Sequence, residues 1–513
     1  MDATLALTHL FEVASVNWLY LFIPILLSLF VFGVISSNVN KPRIPKGKRL
    51  PPGPRGFPLV GHLPYGPRNF DYKRCLEIAK QHGPVFRLKI GVKDIVFLND
   101  FDSIKDVLTR KDVLNRTDNF LLDRTGVKGV LTLNGEAWQD NRRFCLHVLR
   151  DLGFGRKSME EHIKDEVQYL AGKLLELDGS PVDIRKYLVP SMSNNITSLV
   201  FGQRYPFEDH RRKFLDERLA RVVRIIGSGG LFTFLPSWAF LFFSMLPFTN
   251  VGKITGLLQE MFEYVSEEVK QHKSTLDESS NRDFIDGYIK RMEENKNNPH
   301  SNFKMGNLLG NVLNFFGAGS NTVQLSIQWH LLNCADKVDT VQRNIQNEVD
   351  SVVGRERPPC WEDHNKMHYT MATIWEMYRW RTVAPLSLPR EAAEDVEYKD
   401  YFIPKGTVIL PNLSAVHFDP TFWESPEVFD PHRFLKKDGS GLISKPDQLV
   451  PFSIGRRMCP GETLATVEIF LYLTTLLQRF TVMPLEGKRV DLEPAAVVLS
   501  VPAPQQLKFV RRE

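Results

Sequence analysis

One cysteine near the C-terminus lies in a loop whose residue types suit the binding of a planar cofactor that contains iron. The segment runs from Phe452 through Gly455, Arg457 and Cys459 to Gly461. A thiolate at Cys459 can ligate iron, while Arg457 can reach an anionic group beside it. The two glycines lack a Cβ, so the backbone can turn tightly there and approach a flat ligand. Phe452 can shield the sulfur from water, which tunes its electron donation and its redox potential.

Two further pairs of residues could assist such a loop, although each alone is compatible with an ordinary helix. A lone cysteine is more commonly a buried, inert side chain, so support from other segments matters. Glu376 and Arg379 lie three residues apart, and on a helix they share a face and can form an ion pair. Trp138 and Arg142 lie four apart and share a helical face in the same way.

The order Phe-x-x-Gly-x-Arg-x-Cys-x-Gly resembles the signature of the cytochrome P450 superfamily, the haem-thiolate monooxygenases, and all five fixed positions are present. The resemblance implies that Cys459 is the axial metal ligand of haem b, which is iron protoporphyrin IX. It also implies that Phe452, Gly455, Arg457 and Gly461 surround the cofactor.

Further positions match motifs of the same family, in the order in which the family has them. The residues implied to form a buried ionic triad that fixes the cysteine loop are Glu376, Arg379 and Arg433. The residues implied to bind the haem propionates together with Arg457 are Trp138, Arg142 and Arg390. Loss of one triad partner would leave a buried charge unpaired, so we expect loss of haem rather than slower turnover.

The segment Gly317–Thr322 resembles the family's helix above the haem, and it departs from the pattern Ala/Gly-Gly-x-Asp/Glu-Thr at one position. Asn321 replaces the acid, whereas Thr322 is kept and Gly319 opens a groove for dioxygen. These three are the expected catalytic residues. Dioxygen cleavage needs two protons, which an ordered chain of hydroxyl groups and water can deliver. Asparagine orients water but does not titrate, so we expect proton supply and coupling to differ from the family pattern.

A competing metal site is suggested by Cys360, His364 and His368, which would share one face of a helix with zinc-like spacing. Two prolines stand directly before this segment, and a fourth ligand is missing. The resemblance makes it only the connection before the Glu376 helix. We therefore expect no zinc there.

The N-terminus predicts a membrane anchor. The run Trp18–Ile35 is uncharged and near the lower length limit for a bilayer span. Residues 1–40 contain no Lys or Arg, whereas residues 41–56 contain six and no acid. Basic residues after the run favour a retained signal anchor over a cleaved signal peptide, with the body in the cytoplasm. The predicted units are a luminal N-terminus with anchor (1–40), a stiff basic hinge (41–58) and a catalytic domain (59–513).

Composition and periodicity predict the fold. Hydrophobic content of 43% and charged content of 24% describe an ordinary globular protein. The net charge of +5 lies mainly in the hinge, which argues against a nucleic-acid partner. The five cysteines form no CxxC pair, which argues against a disulfide framework. Periodicity predicts a mainly α body with a small β region, at 85–98, 383–410 and 494–511, and the resemblance implies the cytochrome P450 fold.

The aromatic stretch 227–249 leaves two interpretations open. It is uncharged and broken by Gly and Pro, so it fits either a buried pair of core helices or an interfacial segment that dips into a bilayer. In the family this region borders a channel for lipophilic substrates.

The resemblance implies a monooxygenase of microsomal animal type, which inserts one atom of dioxygen into a steroid, lipid or xenobiotic. It also implies electrons from NADPH through NADPH-cytochrome P450 reductase, with cytochrome b5 as a further partner, at the endoplasmic reticulum membrane. The expected substrate-lining residues are Phe120, Leu313, Phe316, Val383, Leu386 and Val498. The alternatives are a haem-thiolate isomerase or dehydratase that acts on peroxides without a reductase, and a non-catalytic haem-binding protein.

Overall fold

The computed structural model describes residues 42–57, 61–62, 72–91, 93–117, 127–152, 157–227, 237–496 and 498–513. The predicted anchor and Phe120 lie outside the described residues. Within the described ranges, no helix combines the length and the apolar character that a membrane span requires.

The described chain is mainly helical, which confirms the predicted fold class. The helices are α1 (Tyr72–His82), α2 (Phe101–Thr109), α3 (Gly135–Asp151), α4 (Lys157–Leu175), α5 (Arg185–Val200), α6 (His210–Gly227), α7 (Ser237–Ser244), α8 (Asn250–Ser274), α9 (Phe284–Glu294), α10 (Met305–Asp336), α11 (Arg343–Val352), α12 (His368–Trp380), α13 (Leu413–His417) and α14 (Glu462–Arg479).

The β region is small, and its strands lie in the three predicted ranges to within one residue, except for β7, which the sequence did not predict. The strands are β1 (Val85–Ile90), β2 (Lys93–Leu98), β3 (Arg390–Glu391), β4 (Val396–Tyr398), β5 (Tyr401–Ile403), β6 (Val408–Pro411), β7 (Phe480–Met483), β8 (Pro494–Ala496), β9 (Val501–Pro502) and β10 (Lys508–Arg511). One sheet has the order β1-β2-β6-β3, and three antiparallel pairs complete the region. In the predicted hairpin Leu88 pairs with Ile95, and Gly91 turns the chain with φ +58°.

Three helices that are buried on nearly every side form the centre of the main core. Helix α10 is apolar along most of its length, and α14 is buried almost continuously from Leu464 to Gln478. Helix α5 is buried as well, although it carries several polar residues. An all-round buried helix must be covered by other elements, and α10 packs against both α5 and α14, so these helices set the positions of the site.

The hinge residues next to the catalytic body pair with its strands. The backbone N–H of Arg49 donates to Asp400 at 3.0 Å, and the N–H of Phe402 donates to Arg49 at 2.8 Å. The N–H of Arg87 in β1 donates to Pro52 at 2.7 Å. The part of the predicted stiff hinge that follows Lys48 is therefore bound to the β region.

The aromatic stretch is described from residue 237 onward, and there its apolar side chains face solvent. Leu241, Phe242, Met245 and Phe248 are 52%, 56%, 68% and 72% exposed. The interpretation as buried core helices is therefore wrong for most of this part, although Phe240 is buried.

Cys360, His364 and His368 lie in different local structures. His364 lies in a 3₁₀ turn and stacks on Trp361, with ring centroids 3.9 Å apart, while His368 begins helix α12. Nε2 of His368 bonds the carbonyl of Asn365 at 2.9 Å. The three therefore share no helical face, and they form no cluster of ligating atoms within 4.8 Å.

Candidate active site

The cysteine loop is held in its shape by backbone contacts and by one glycine. The N–H of Cys459 donates to the carbonyl of Phe452 at 2.9 Å. Gly455 has φ +78°, and a Cβ there would lie 2.4 Å from the carbonyl oxygen of Leu108. Only glycine fits such a close, left-handed approach.

The Cys459 sulfur lies beside the first turn of α14. Gly461 is the N-cap of this helix, and its N–H lies 3.4 Å from Sγ. The positive end of a helix favours a thiolate. Cys459 is accessible to solvent. Desolvation by the surrounding protein nevertheless raises the pKa of its thiol, and the Gly461 N–H and the charge of Arg142 offset only part of this shift. A coordinating metal ion would remove the thiol proton.

Four arginines interact with one another next to this loop, two of them, Arg142 and Arg457, over the ring of Trp138. Sequence reasoning missed one of the four, Arg116. Arg116, Arg390 and Arg457 are buried and Arg142 is half-buried. The guanidinium of Arg457 stacks on Trp138 at 3.9 Å. Burial lowers the pKa of Arg457 to about 8, of Arg116 to about 9 and of Arg390 to about 10, and repulsion among these cations adds to the effect.

These arginines donate to backbone carbonyls, which carry no compensating charge. Arg390 donates to Leu108 and Ile454, each at 3.0 Å. Arg142 donates to Met458 at 2.7 Å, and Arg116 donates to Pro389 at 2.8 Å. Among the described residues, none of the four forms a salt bridge, and Nε1 of Trp138 is buried without a hydrogen-bond partner. Such a cluster fits the two propionates of haem, since guanidinium groups bind carboxylates in pairs of hydrogen bonds.

The structure brings Glu376, Arg379 and Arg433 together. Arg379 donates to both carboxylate oxygens of Glu376, at 2.8 and 2.7 Å, and Arg433 donates to one of them at 3.2 Å. Glu376 and Arg379 are completely buried. The triad reaches the cysteine loop through His417, which sequence reasoning missed.

His417 connects the triad to the chain just before the loop. Arg379 donates to its carbonyl at 2.8 Å, and Nε2 of His417 accepts the N–H of Val450 at 3.0 Å. Burial and the charge of Arg379 lower the pKa of His417 to about 3. The imidazole therefore stays neutral and can accept this bond.

Helix α10 presents one face of small and half-buried residues. Phe315, Gly319 and Thr322 are half-buried and Ala318 is exposed, and their spacing places them on one side of the helix. Oγ1 of Thr322 donates to the carbonyl of Ala318 at 2.7 Å. Asn321 is half-buried, and α10 carries no titratable side chain from Met305 to Trp329.

Two asparagines of α10 link this helix to the arginine cluster. Asn311 and Asn314 accept the N–H groups of Val130 and Leu131 at 2.7 and 2.9 Å. The carbonyl of Val130 in turn accepts from Arg457 at 3.3 Å. Segment 127–133 therefore joins the two sides of the site, a connection that no local sequence pattern signals.

The substrate-lining expectations are met unevenly by the structure. Leu313 and Phe316 are 6% and 1% exposed, and they lie in the core on the side of α10 opposite Ala318. The expectation that Leu313 and Phe316 line the substrate site is therefore corrected. Phe315 and Ala318 replace them as lining candidates, because each residue turns the helix by about 100° and these two lie on the small-residue face.

The other lining candidates are at least partly accessible. Val383 and Leu386 are half-buried and Val498 is exposed. The N–H of Ser500 donates to the carbonyl of Val383, and Nε1 of Trp329 donates to that of Ser500, each at 2.8 Å. The β8–β9 hairpin is thereby bound to α10.

Comparison with known proteins defines the class. The family profile described as Cytochrome P450 matches residues 51–509. Cytochrome P450 2C28 of Mesocricetus auratus is 36% identical over 470 residues, which cover 90% of this chain and 94% of that protein. Cytochrome P450 2B2 of Rattus norvegicus is 35% identical, covering 91% and 95% of the two chains. The chain therefore belongs to the cytochrome P450 family, whose members are haem-thiolate monooxygenases.

The close approach at Gly455 predicts that Gly455→Ala loses haem. The matched control is Gly439→Ala, because Gly439 has φ +72° but no atom near its Cβ position. Both variants strain the backbone by about 1–2 kcal/mol, and only the first also collides with Leu108. We expect a lower ratio of haem to protein in Gly455→Ala alone. Equal haem content in the two variants would contradict this account.

The buried triad predicts that Glu376→Ala also loses haem. It leaves Arg379 charged in the core at a cost of about 3–5 kcal/mol. Glu493→Ala, which removes an exposed carboxylate that pairs with Lys73 and lies 3.9 Å from Arg381, serves as the control and should cost at most about 1 kcal/mol. Haem content and thermal unfolding measure the difference. An unaltered haem content in Glu376→Ala would show that the triad does not hold the loop.

Proposed function

We propose that this haem monooxygenase inserts one atom of dioxygen into a lipophilic small molecule of steroid, lipid or xenobiotic type. Electrons would come from NADPH through a flavoprotein reductase, with cytochrome b5 as a further partner. The observation that carries the proposal is the uncompensated arginine cluster, which lies against the cysteine loop and is joined through segment 127–133 to the small-residue face of α10.

The residues would divide the work as follows. Cys459 would ligate the haem iron, and Phe452, Gly455 and Gly461 would form the loop around it. The residues that would hold the propionates are Trp138, Arg116, Arg142, Arg390 and Arg457. The bound haem supplies dioxygen activation, which consumes two electrons and two protons for each oxygen atom inserted.

The chain's own contribution to proton delivery would rest on Thr322 and Asn321, whereas the notch at Gly319 is filled by Ile196. The hydroxyl of Thr322 donates to Ala318 in this structure and can rotate to orient a water molecule. Asn321 can hold a second water, but it does not exchange a proton at neutral pH. Proton supply would therefore depend on ordered water more than in relatives that carry an acid at this position.

We place the protein at the endoplasmic reticulum membrane, with its catalytic domain in the cytoplasm. The exposed aromatic residues of segment 237–249 support this location, because they offer a continuous apolar surface to the headgroup region. A lipophilic substrate could then arrive from the bilayer. The division into anchor, hinge and catalytic domain belongs to the same proposal.

A haem-thiolate isomerase that acts on peroxides is the second candidate, and the Asn321 position favours it. Such an enzyme rearranges an existing O–O bond and needs no proton relay. Turnover that requires NADPH and the reductase would support the monooxygenase, whereas turnover of a peroxide without either would support the isomerase.

The carbon monoxide difference spectrum of the reduced protein tests the ligation directly. We expect a strongly red-shifted Soret band in the wild type and its loss in Cys459→Ser, because only a thiolate ligand produces that shift. Cys360→Ser is the matched control, since Cys360 is partly exposed and belongs to a separate turn. A red-shifted band that persists in Cys459→Ser would refute the assignment.

Restoring an acid at position 321 tests the proton supply. In Asn321→Asp we expect less hydrogen peroxide released per product, because a titrating group would deliver protons before reduced oxygen escapes. Thr322→Ala should change the ratio in the opposite direction. An identical peroxide-to-product ratio in Asn321→Asp and the wild type would show that proton supply does not limit coupling.

A further inference from the structure

Helix α5 contacts both helices that would enclose the haem. It packs against α10, and two of its side chains form hydrogen bonds with side chains of α14, the helix that starts at the cysteine loop. The side chains of Ser191, Asn194, Asn195 and Thr197 are completely buried. Buried polar side chains in a helix interior are costly unless they bond to something specific.

Asn195 makes the polar contact between α5 and α14. Its Nδ2 donates to Oε1 of Glu468 at 2.9 Å and lies 3.3 Å from the hydroxyl of Tyr472. That hydroxyl is also 2.6 Å from Oγ of Ser191. Glu468 stands six residues into α14, about 9 Å along its axis from the end that carries the cysteine loop.

Glu468 takes part as an uncharged group. It is 1% exposed and, within the described part of the chain, no salt bridge involves it. Burial raises its pKa to about 8, and the hydrogen bond from Asn195 lowers the pKa only partly. The carboxyl is therefore largely protonated at neutral pH, and an amide could replace it.

The residue after Asn195 makes the contact with α10, because it points about 100° around the axis of α5 from Asn195. Ile196 fills the notch that Gly319 leaves in α10, since a Cβ at Gly319 would lie 2.5 Å from Cδ1 of Ile196. Gly319 shares the small-residue face of α10 with Ala318 and Thr322. Two adjacent residues of α5 therefore contact the two helices that would lie on opposite sides of the cofactor.

We propose that the Asn195–Glu468 hydrogen bond and the Ile196–Gly319 contact together set the spacing between the cysteine loop and the small-residue face of α10. Asn195 and Glu468 are thus positioning residues, which act on the haem through α14 and α10 without touching it. A shift of α5 would then alter thiolate ligation and distal crowding together. The inference rests on the proposed ligation of haem by Cys459.

The test compares variants of the full-length, haem-loaded protein in its reduced carbon monoxide form. One reading is the fraction of the thiolate-ligated Soret band, which reports the cysteine side. The other is the C–O stretching frequency, which reports crowding on the α10 side. Asn195→Ala is expected to lower the thiolate-ligated fraction and to shift the stretching frequency.

Two substitutions of Glu468 distinguish the effect of its hydrogen bond to Asn195 from the effect of its acidic group. Glu468→Gln keeps an acceptor oxygen for Nδ2 of Asn195, and its amide can donate to Oδ1 of Asn195, which is buried without a partner in the described structure. We expect wild-type readings in Glu468→Gln and the readings of Asn195→Ala in Glu468→Leu. Thr197→Ala is the matched control, because this buried hydroxyl bonds only to Asn194 of its own helix.

Several results would overturn the proposal. Wild-type spectra in Asn195→Ala, or equal losses in Glu468→Gln and Glu468→Leu, would each do so. If Asn195→Ala fails to fold, Ile196→Val replaces it, and an unchanged stretching frequency there would refute the α10 contact. A wild type without the thiolate band would instead refute the proposed ligation itself, so the two failures are distinguishable.

Discussion

The arrangement of this protein depends on an excess of positive charge inside the fold. Three buried arginines and one half-buried arginine lie near one another beside the cysteine loop, and in the described structure their partners are carbonyl dipoles rather than carboxylates. Carbonyl oxygens hold a guanidinium in place but do not cancel its charge, so burial and mutual repulsion lower the pKa values of Arg116, Arg390 and Arg457. A dianionic ligand bound here would offset that repulsion. The propionates of the haem would thus supply the negative charge that the fold itself does not place beside these arginines.

The surrounding scaffold is built to keep this site in place while adding little charge of its own. His417 is neutral, Glu468 is largely neutral, and Asn311 and Asn314 act as amides. The ion pairs that support the cysteine loop are those of the triad, and the triad reaches the loop through His417. Because the groups in the immediate surroundings are neutral, the electrostatic potential of the site is set by the arginines and the sulfur. These are the groups that would contact the cofactor.

Much of the fold could be predicted from the sequence because its signals are local. Helical periodicity, the glycine turn between β1 and β2 and the short apolar strands all act within a few residues. The meeting of Glu376 with Arg379 was predictable for the same reason. The roles of three other residues could not be predicted, namely those of Arg116, Asn311 and His417. Each bonds a backbone group far away along the chain, and a backbone partner cannot be recognised from composition or spacing. Leu313 and Phe316 were misplaced because apolar residues surround α10, so sequence alone does not show which face is free.

The pairing of the hinge with the β region has a consequence for the integrity of the chain. The backbone of Arg49 covers one edge of the β4–β5 hairpin, and Lys48 pairs with Glu397 at 3.0 Å. Proteolysis between the hinge and the body would uncover that edge, and an open strand edge is a template for pairing with other chains. A shortened form that begins after Leu50 would therefore expose this strand edge and be prone to self-association.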